Sequence, residues 1–326
     1  MTKKMEENCF SPSLIWESRK RIKDKILRTP LLFSPSLSDI TGNQIYLKME
    51  CWQLTGSFKV RGALNMVSSL SKEERSRGLV TASSGNHGTA LSYAASIHGN
   101  PPTKIFLPKS ADPKKIDKIK SYGAKPILYG ENYLEALQKA QNYASENNCT
   151  YVHSHSHPLI IAGQGTIGLE IIEDLPDIDV LVIQVGGGGL ISGVSSAVKT
   201  INPNIKVFGV EPEAAPGAYI SFRNRSCQEH IDIKPSVADG LLGTLTPLTY
   251  DISSKFVEDI SIVNEKEIIN TVKLLQDTEQ VMVEGSAAAG LAAVLSNKIK
   301  IKDKKVAVIL TGRNIESNKY NHLINS

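Results

Sequence analysis

Short apolar runs rich in β-branched residues alternate along the chain with stretches whose apolar positions recur at helical spacing. Residues 44–49, 79–81, 104–107, 125–129, 150–153, 180–185, 206–210 and 305–310 predict strands. Residues 58–70, 87–98, 113–122, 133–147, 162–174, 190–201, 265–276 and 286–295 predict helices. Alternation over the whole length predicts an α/β fold with mostly parallel strands. Sheets of that kind hold ligands beyond the carboxyl ends of their strands, so the loops that follow strands are where chemistry is expected. There is no internal repeat, no low-complexity tract and no Pro/Gly/Ser linker dividing the chain. With 326 residues the chain is long enough for two domains, and one is then expected to be inserted in the other.

The run 180–185 is apolar almost throughout, and Gly186, Gly187, Gly188 and Gly189 follow it before Leu190 opens a helix. Consecutive glycines let main-chain N–H groups converge on an anion, and the helix start adds partial positive charge. The run thus reads as a phosphate cradle, since a tight strand-to-helix turn needs fewer glycines. It fits neither G-x-G-x-x-G, whose last position falls on Ile191 or Ser192, nor G-x-x-x-x-G-K-[ST]. Ser83-Ser84-Gly85-Asn86-His87-Gly88 also joins a strand to a helix. It offers hydroxyls, an amide and helix-start N–H groups to a carboxylate or phosphate, or else caps its own helix through Ser84 or Asn86. Thr311, at the end of a strand, either donates to a ligand nitrogen or simply terminates the strand.

Lys59 stands just inside a helix start, the positive end of a helix. Partial desolvation there drives its amine toward the neutral form, a nucleophile that makes Schiff bases. Taken alone it also reads as a surface lysine. A phosphate cradle, a carboxylate loop, a Schiff-base lysine and a strand-end hydroxyl together describe a site for pyridoxal 5′-phosphate (PLP).

Charge and cysteine usage remove other readings. The 37 basic and 33 acidic side chains are scattered, without the one-sided basicity of a nucleic-acid binder. Cys9, Cys51, Cys149 and Cys227 are widely spaced with no C-x-x-C, so reduced thiols are expected. The opening MTKKMEENCFSPSLIWESRK has no signal-peptide core, and no apolar run reaches membrane-spanning length. A soluble, cytoplasmic protein with neither nucleic-acid nor membrane partner is expected.

In YLKMECWQLTGSFKVRGA, TASSGNHGTALSYAA, IAGQGTIGLEI, QVGGGGLISG, FGVEPE, VADGL and VILTGRN the chain resembles the fold-type-II PLP enzymes, the tryptophan synthase β-subunit superfamily. Within it, the likeness is to the threonine/serine dehydratase and serine racemase family. These stretches run from Tyr46 to Asn314 in the family's order. The resemblance implies two three-layer α/β/α domains with mostly parallel twisted sheets and PLP in the cleft between them. Residues 1–50 and 156–326 would form the large PLP-binding domain and residues 51–155 a smaller inserted one. At matching positions, Lys59 would hold PLP and act as base at Cα, with Phe58 beside the ring and Asn86 on its phenolate oxygen. Gly186, Gly187, Gly188 and Gly189 with Leu190 would hold the phosphate. Ser83, Ser84, Asn86 and His87 would surround the substrate carboxylate. Thr311 would meet the ring nitrogen, and Glu284 would line the ring's far side. Ser84 matches the residue that serves the opposite face in racemases of the family.

The implied activity is α,β-elimination from a β-hydroxy amino acid (L-threonine, L-serine or 3-hydroxyaspartate) to a 2-oxo acid and ammonia, by a homo-oligomer, expected to be a dimer. A racemase or a β-replacement synthase is the alternative among enzymes. A non-catalytic PLP or amino-acid binding protein is the alternative of another class, against which the intact Lys59 counts.

Some positions depart from the family pattern. His153, His155 and His157 alternate, as residues on one face of a strand would, but no carboxylate or cysteine accompanies them, so no metal site is expected. His155 matches a substrate-lining position, where a cationic or donor group would favour a polar or acidic side chain. Glu211 and Ala215 match two parts of the family's divalent-cation site, but Gly217 stands where its last acid would be, so that site is not expected. Arg313 replaces a glycine, and either binds a substrate carboxylate or points outward. No C-terminal regulatory domain fits after the last strand, so isoleucine feedback is not expected.

Overall fold

Parallel strands with buried, β-branched faces organise the protein, and a computed structural model describes residues 9–325. In chain order the first half carries α1 (Ser13–Ile22), β1 (Leu31–Ser34), α2 (Pro35–Thr41), β2 (Gln44–Lys48), α3 (Lys59–Ser69), α4 (Lys72–Arg77), β3 (Leu79–Ala82), α5 (Asn86–Ser96), β4 (Thr103–Leu107), α6 (Pro113–Ser121), β5 (Lys125–Leu128), α7 (Tyr133–Glu146) and β6 (Thr150–Tyr151). Then come α8 (Pro158–Asp174), β7 (Val180–Gln184), α9 (Gly189–Ile201), β8 (Lys206–Pro212), α10 (Gly217–Asn224), α11 (Pro247–Ser253), β9 (Asp259–Val263), α12 (Glu265–Glu279), α13 (Gly285–Leu295), β10 (Lys305–Ile309) and α14 (Ser317–Asn325).

The chain packs as two units. The smaller contains the segment ending at Leu27 together with Phe58–Gly163, and the larger contains Arg28–Ser57 and Gln164 onward. The smaller unit has a four-stranded parallel sheet in the order β5-β4-β3-β6. The larger has six strands in the order β1-β2-β10-β7-β8-β9, parallel except where β1 runs antiparallel to β2. All five residues of β7 are buried, as expected of a central parallel strand covered on both faces.

Local chemistry sets the element ends. Ser34 caps α2 by accepting the Leu37 N–H, Pro35 follows in the first turn, and Gly42 closes the helix at φ +64°. Capping boxes start α4 through Ser71 and Glu74 and α12 through Asn264 and Glu267. Helix α13, GSAAAGLAAVL, is buried along nearly its whole length in one apolar cluster with Val182, Val306 and Val308. The predicted strands and helices are present with ends shifted by a few residues, and β1, β9, α1, α2, α4, α10, α11 and α14 are additional. These are short or peripheral. Strand β1, Leu-Leu-Phe-Ser, is apolar but only four residues long, and Phe33 is half exposed.

Packing also explains where the chain divides. The segment before Leu27, expected with the large domain, packs in the smaller unit because Ile22 joins Val60, Leu64 and Leu91. Residues 51–57, expected in the small domain, belong to the larger unit. There the Cys51 N–H donates to the Leu310 carbonyl, and Ser57 bridges Gly312. Among the described residues no helix is long and apolar enough to cross a membrane.

A buried ion pair sits at the end of β2. Lys48, fully buried, donates to Glu170 at 2.7 Å and to the Thr29 carbonyl at 2.6 Å. Lys48→Met leaves the buried Glu170 carboxylate without its cation and is expected to cost about 3–5 kcal/mol. Urea unfolding measures this, and a loss below about 1 kcal/mol, the range of an exposed pair, contradicts it.

Candidate active site

In the smaller unit β3 and β6 are neighbouring parallel strands, so the loops at their carboxyl ends emerge on the same side of the sheet. The β3 loop is Ser83–Gly85. Ser83 is tied to β4 by its N–H to the Phe106 carbonyl, and its hydroxyl accepts the Gly85 N–H at 3.2 Å. Gly85 caps α5 without a side-chain bond, so the first-turn N–H groups of Asn86, His87 and Gly88 have no intrahelical acceptor and point into the loop. Ser83, Ser84 and Asn86 are partly exposed.

His87 turns its ring inward. It is 3% exposed and donates from Nε2 to the Val152 carbonyl at 3.1 Å. Burial, helped by the positive charge of Lys59, pushes its pKa down to about 3. Its imidazole is therefore neutral and bound to the protein. Its ring is thus turned away from the Ser83–Gly85 loop, and its main-chain N–H lies in the first turn of α5.

Lys59 is the first residue of α3, and Phe58 precedes it. Its Nζ donates to the Ser154 carbonyl at 3.0 Å and lies 5.3 Å from the centre of the Phe58 ring. The loop 152–157 that supplies this carbonyl is not a strand, because β6 stops at Tyr151. His153, His155 and His157 thus do not share a strand face. Instead, His153 Nδ1 accepts the N–H groups of His155 at 3.2 Å and Ser156 at 2.8 Å, and His157 Nδ1 accepts that of Leu159. Among the described residues no group of three or more His, Cys, Asp or Glu is placed to hold a metal. Burial and Lys59 hold His153 down at about 4. Burial, His153 and Lys59 hold His155 well below the usual imidazole range, and its Nδ1 meets the Ser154 hydroxyl at 2.9 Å. Of the cationic and donor forms expected at His155, this environment disfavours the cation and leaves a neutral ring with one N–H donor.

The larger unit holds the glycine loop. It leaves the carboxyl end of β7 and enters α9, with Gly188 at φ +82° as N-cap. A side chain at Gly188 would be strained by that φ and would strike Leu245 and Thr249. A methyl on Gly186 would lie 3.1 Å from Leu241 Cα, and one on Gly243 would lie 3.5 Å from the Gly187 nitrogen. The segment 240–243 thus forms a second wall of the loop at main-chain distance. VADGL signalled it in the sequence, but that stretch carried no assigned role. Leu190 is buried in the first turn of α9.

Thr311 is buried just beyond β10, the strand beside β7, at the same end of the sheet as the glycine loop. Glu284 anchors the segment that follows: its N–H donates to the Gly312 carbonyl, and its carboxylate accepts the Asn314 N–H at 3.1 Å. Asn314 in turn donates to the Thr55 carbonyl. Arg313 is exposed. The Ser57 hydroxyl is buried without a protein partner, which nothing in the sequence around it signals. Glu211 accepts the Ala218 and Tyr219 N–H groups at the start of α10, so that helix start occupies its oxygens.

Residues 22–312 match the profile of the pyridoxal-phosphate dependent enzymes. The chain belongs to that family. It is 46% identical to the L-threonine ammonia-lyase of Thermotoga maritima over 95% of this chain and 77% of that protein. It is 38% identical to the serine racemase of Dictyostelium discoideum over 95% of this chain and 97% of the other. The solved maize serine racemase superposes with a TM-score of 0.90 at 33% identity, over 97% of this chain and 98% of that one. The cofactor of the family is PLP. At Gly186 and Gly188 the neighbours Leu241, Leu245 and Thr249 leave no room for a side chain, so the loop stays bare main chain.

His87 gives a pH test. Its folded pKa lies below the unfolded value of about 6.5, so below that pH the unfolded chain binds the extra proton. The stability it contributes is present above about pH 6.5 and is lost as pH falls, by about 1.4 kcal/mol per unit until the folded pKa is reached. His87→Gln keeps a donor for Val152 but does not titrate. Urea unfolding between pH 7 and pH 4.5 should therefore show a shallower loss in H87Q, and parallel curves contradict this account.

Proposed function

We propose that this chain is a PLP-dependent ammonia-lyase acting on L-threonine, with L-serine as a second substrate. The observation that carries the reading is Lys59 at a helix start with its amine held by the Ser154 carbonyl, in the same unit as the Ser83–Asn86 loop. The similarity to an L-threonine ammonia-lyase supports the substrate.

PLP, when bound, supplies an aldehyde for amino groups and a ring that spreads the charge left by Cα deprotonation. The protein's own groups do the rest. The hydroxyls of Ser83 and Ser84 and the N–H groups of Asn86 and His87 bind the substrate carboxylate. Lys59, released as a free amine, takes the Cα proton. Gly186, Gly187, Gly188 and Gly189 with Leu190 present main-chain N–H groups and the start of α9 to the phosphate. As the resemblance implies, Phe58 would lie beside the ring and Asn86 would serve its phenolate oxygen, while Glu284 keeps the Gly312–Asn314 segment in place. Thr311 offers the ring nitrogen a neutral hydroxyl. Such a partner would not force a proton onto that nitrogen, and would favour loss of the β-hydroxyl over transamination. The substrate loses water and then, on hydrolysis, ammonia, leaving the 2-oxo acid. The same reading has the protein working in the cytoplasm as a homodimer.

Serine racemization is the second reading, favoured by Ser84 and by the racemase relatives. With L-threonine the protein should form 2-oxobutanoate and ammonia in equal amounts. Lys59→Ala should lower kcat by about a thousandfold or more. With L-serine, Ser84→Ala should remove any D-serine formation and retain pyruvate formation. Turnover of L-serine to D-serine without oxo acid, or full activity in K59A, contradicts the proposal.

A further inference from the structure

The Lys59 amine is held by a main-chain carbonyl, so its direction depends on whatever fixes the backbone of the loop that carries Ser154. We propose that His87 and His153 are positioning residues for Lys59, which they serve by fixing that loop at its two ends. The inference rests on reading Lys59 as the reactive amine.

No ladder holds the loop beyond Val152, because β6 ends at Tyr151 and the last rung is the Val152 N–H donating to the Val80 carbonyl at 2.8 Å. From there the hold passes to side chains. The Val152 carbonyl accepts the His87 Nε2–H at 3.1 Å. Beyond Ser154 the turn is closed by His153 Nδ1, which accepts the His155 and Ser156 N–H groups. Ser154 lies between these two fastenings, and its carbonyl receives Lys59 Nζ at 3.0 Å.

His87 donates from Nε2 in either protonation state, but accepting at Nδ1 requires His153 to be neutral. Burial and the charge of Lys59 favour that state in both. His87 also follows Asn86 in the first turn of α5. One ring thereby ties the loop that receives a substrate carboxylate to the loop that orients the amine. His153 closes its turn as an asparagine closes an Asx turn, with one acceptor taking N–H groups from the residues just ahead.

The test uses the full chain, stripped of cofactor and then mixed with PLP. Capture of the aldehyde by Lys59 is followed by growth of the visible absorbance of lysine-bound cofactor, and total bound cofactor is measured separately by equilibrium dialysis. His153→Ala should slow capture about tenfold or more while total binding changes by no more than about twofold, since misdirecting a reacting group costs rate. His153→Asn, which restores an acceptor, should recover most of that rate. His87→Leu should slow capture likewise and His87→Gln should recover it. If H87L does not fold, the pair at position 153 decides. Capture by H153A at the wild-type rate, or H153N as slow as H153A, overturns the positioning role and leaves the function of Lys59 standing. Wild-type protein that binds PLP without ever developing the absorbance overturns both.

Discussion

The contact of the Lys59 amine, at the positive end of its own helix, with the Ser154 carbonyl is what the functional account depends on. The helix start disfavours a second positive charge, and the carbonyl gives the amine a direction. Neither would matter on an open surface. Here the carbonyl belongs to a loop at the carboxyl end of a parallel strand, next to the helix start that carries Ser83, Ser84 and Asn86. The parallel sheet is therefore the deeper constraint. It delivers successive loops to one edge, so that residues distant in sequence share a small volume.

The larger unit applies the same rule to a different end. Strands β7 and β10 run side by side, one leading into the glycine loop and the other into Thr311. The glycine loop carries little side-chain volume and is faced at main-chain distance by residues 240–243. Glu284 and Asn314 then fasten the segment after Thr311 to the chain near Thr55. Much of this region's polar chemistry goes into holding the backbone still, as a site that works by orientation requires.

The central strands were legible because buried parallel strands are written as β-branched runs, and the glycine loop and SSGNHG stood out as punctuation between a strand and a helix. The assignment of Lys59 drew on that same punctuation. What escaped was set by contacts distant in sequence. Nothing near His87 shows that its ring faces Val152, 65 positions on. The alternation of His153, His155 and His157 suggested one face of a strand, yet the ladder ends before them and their rings serve a turn. The allocation of residues 51–57 to the larger unit depends on pairing between Ser57 and Gly312, which no local pattern announces. The four-residue β1 and the weakly apolar α14 gave too little periodicity to read.

The central claim is that the side chain at position 59 carries the cofactor. Borohydride reduction of the PLP-loaded protein, followed by peptide mapping, tests it most directly. The account predicts a pyridoxyl label confined to the peptide that contains Lys59. A label on another lysine, or none in protein that retains its PLP, would contradict it.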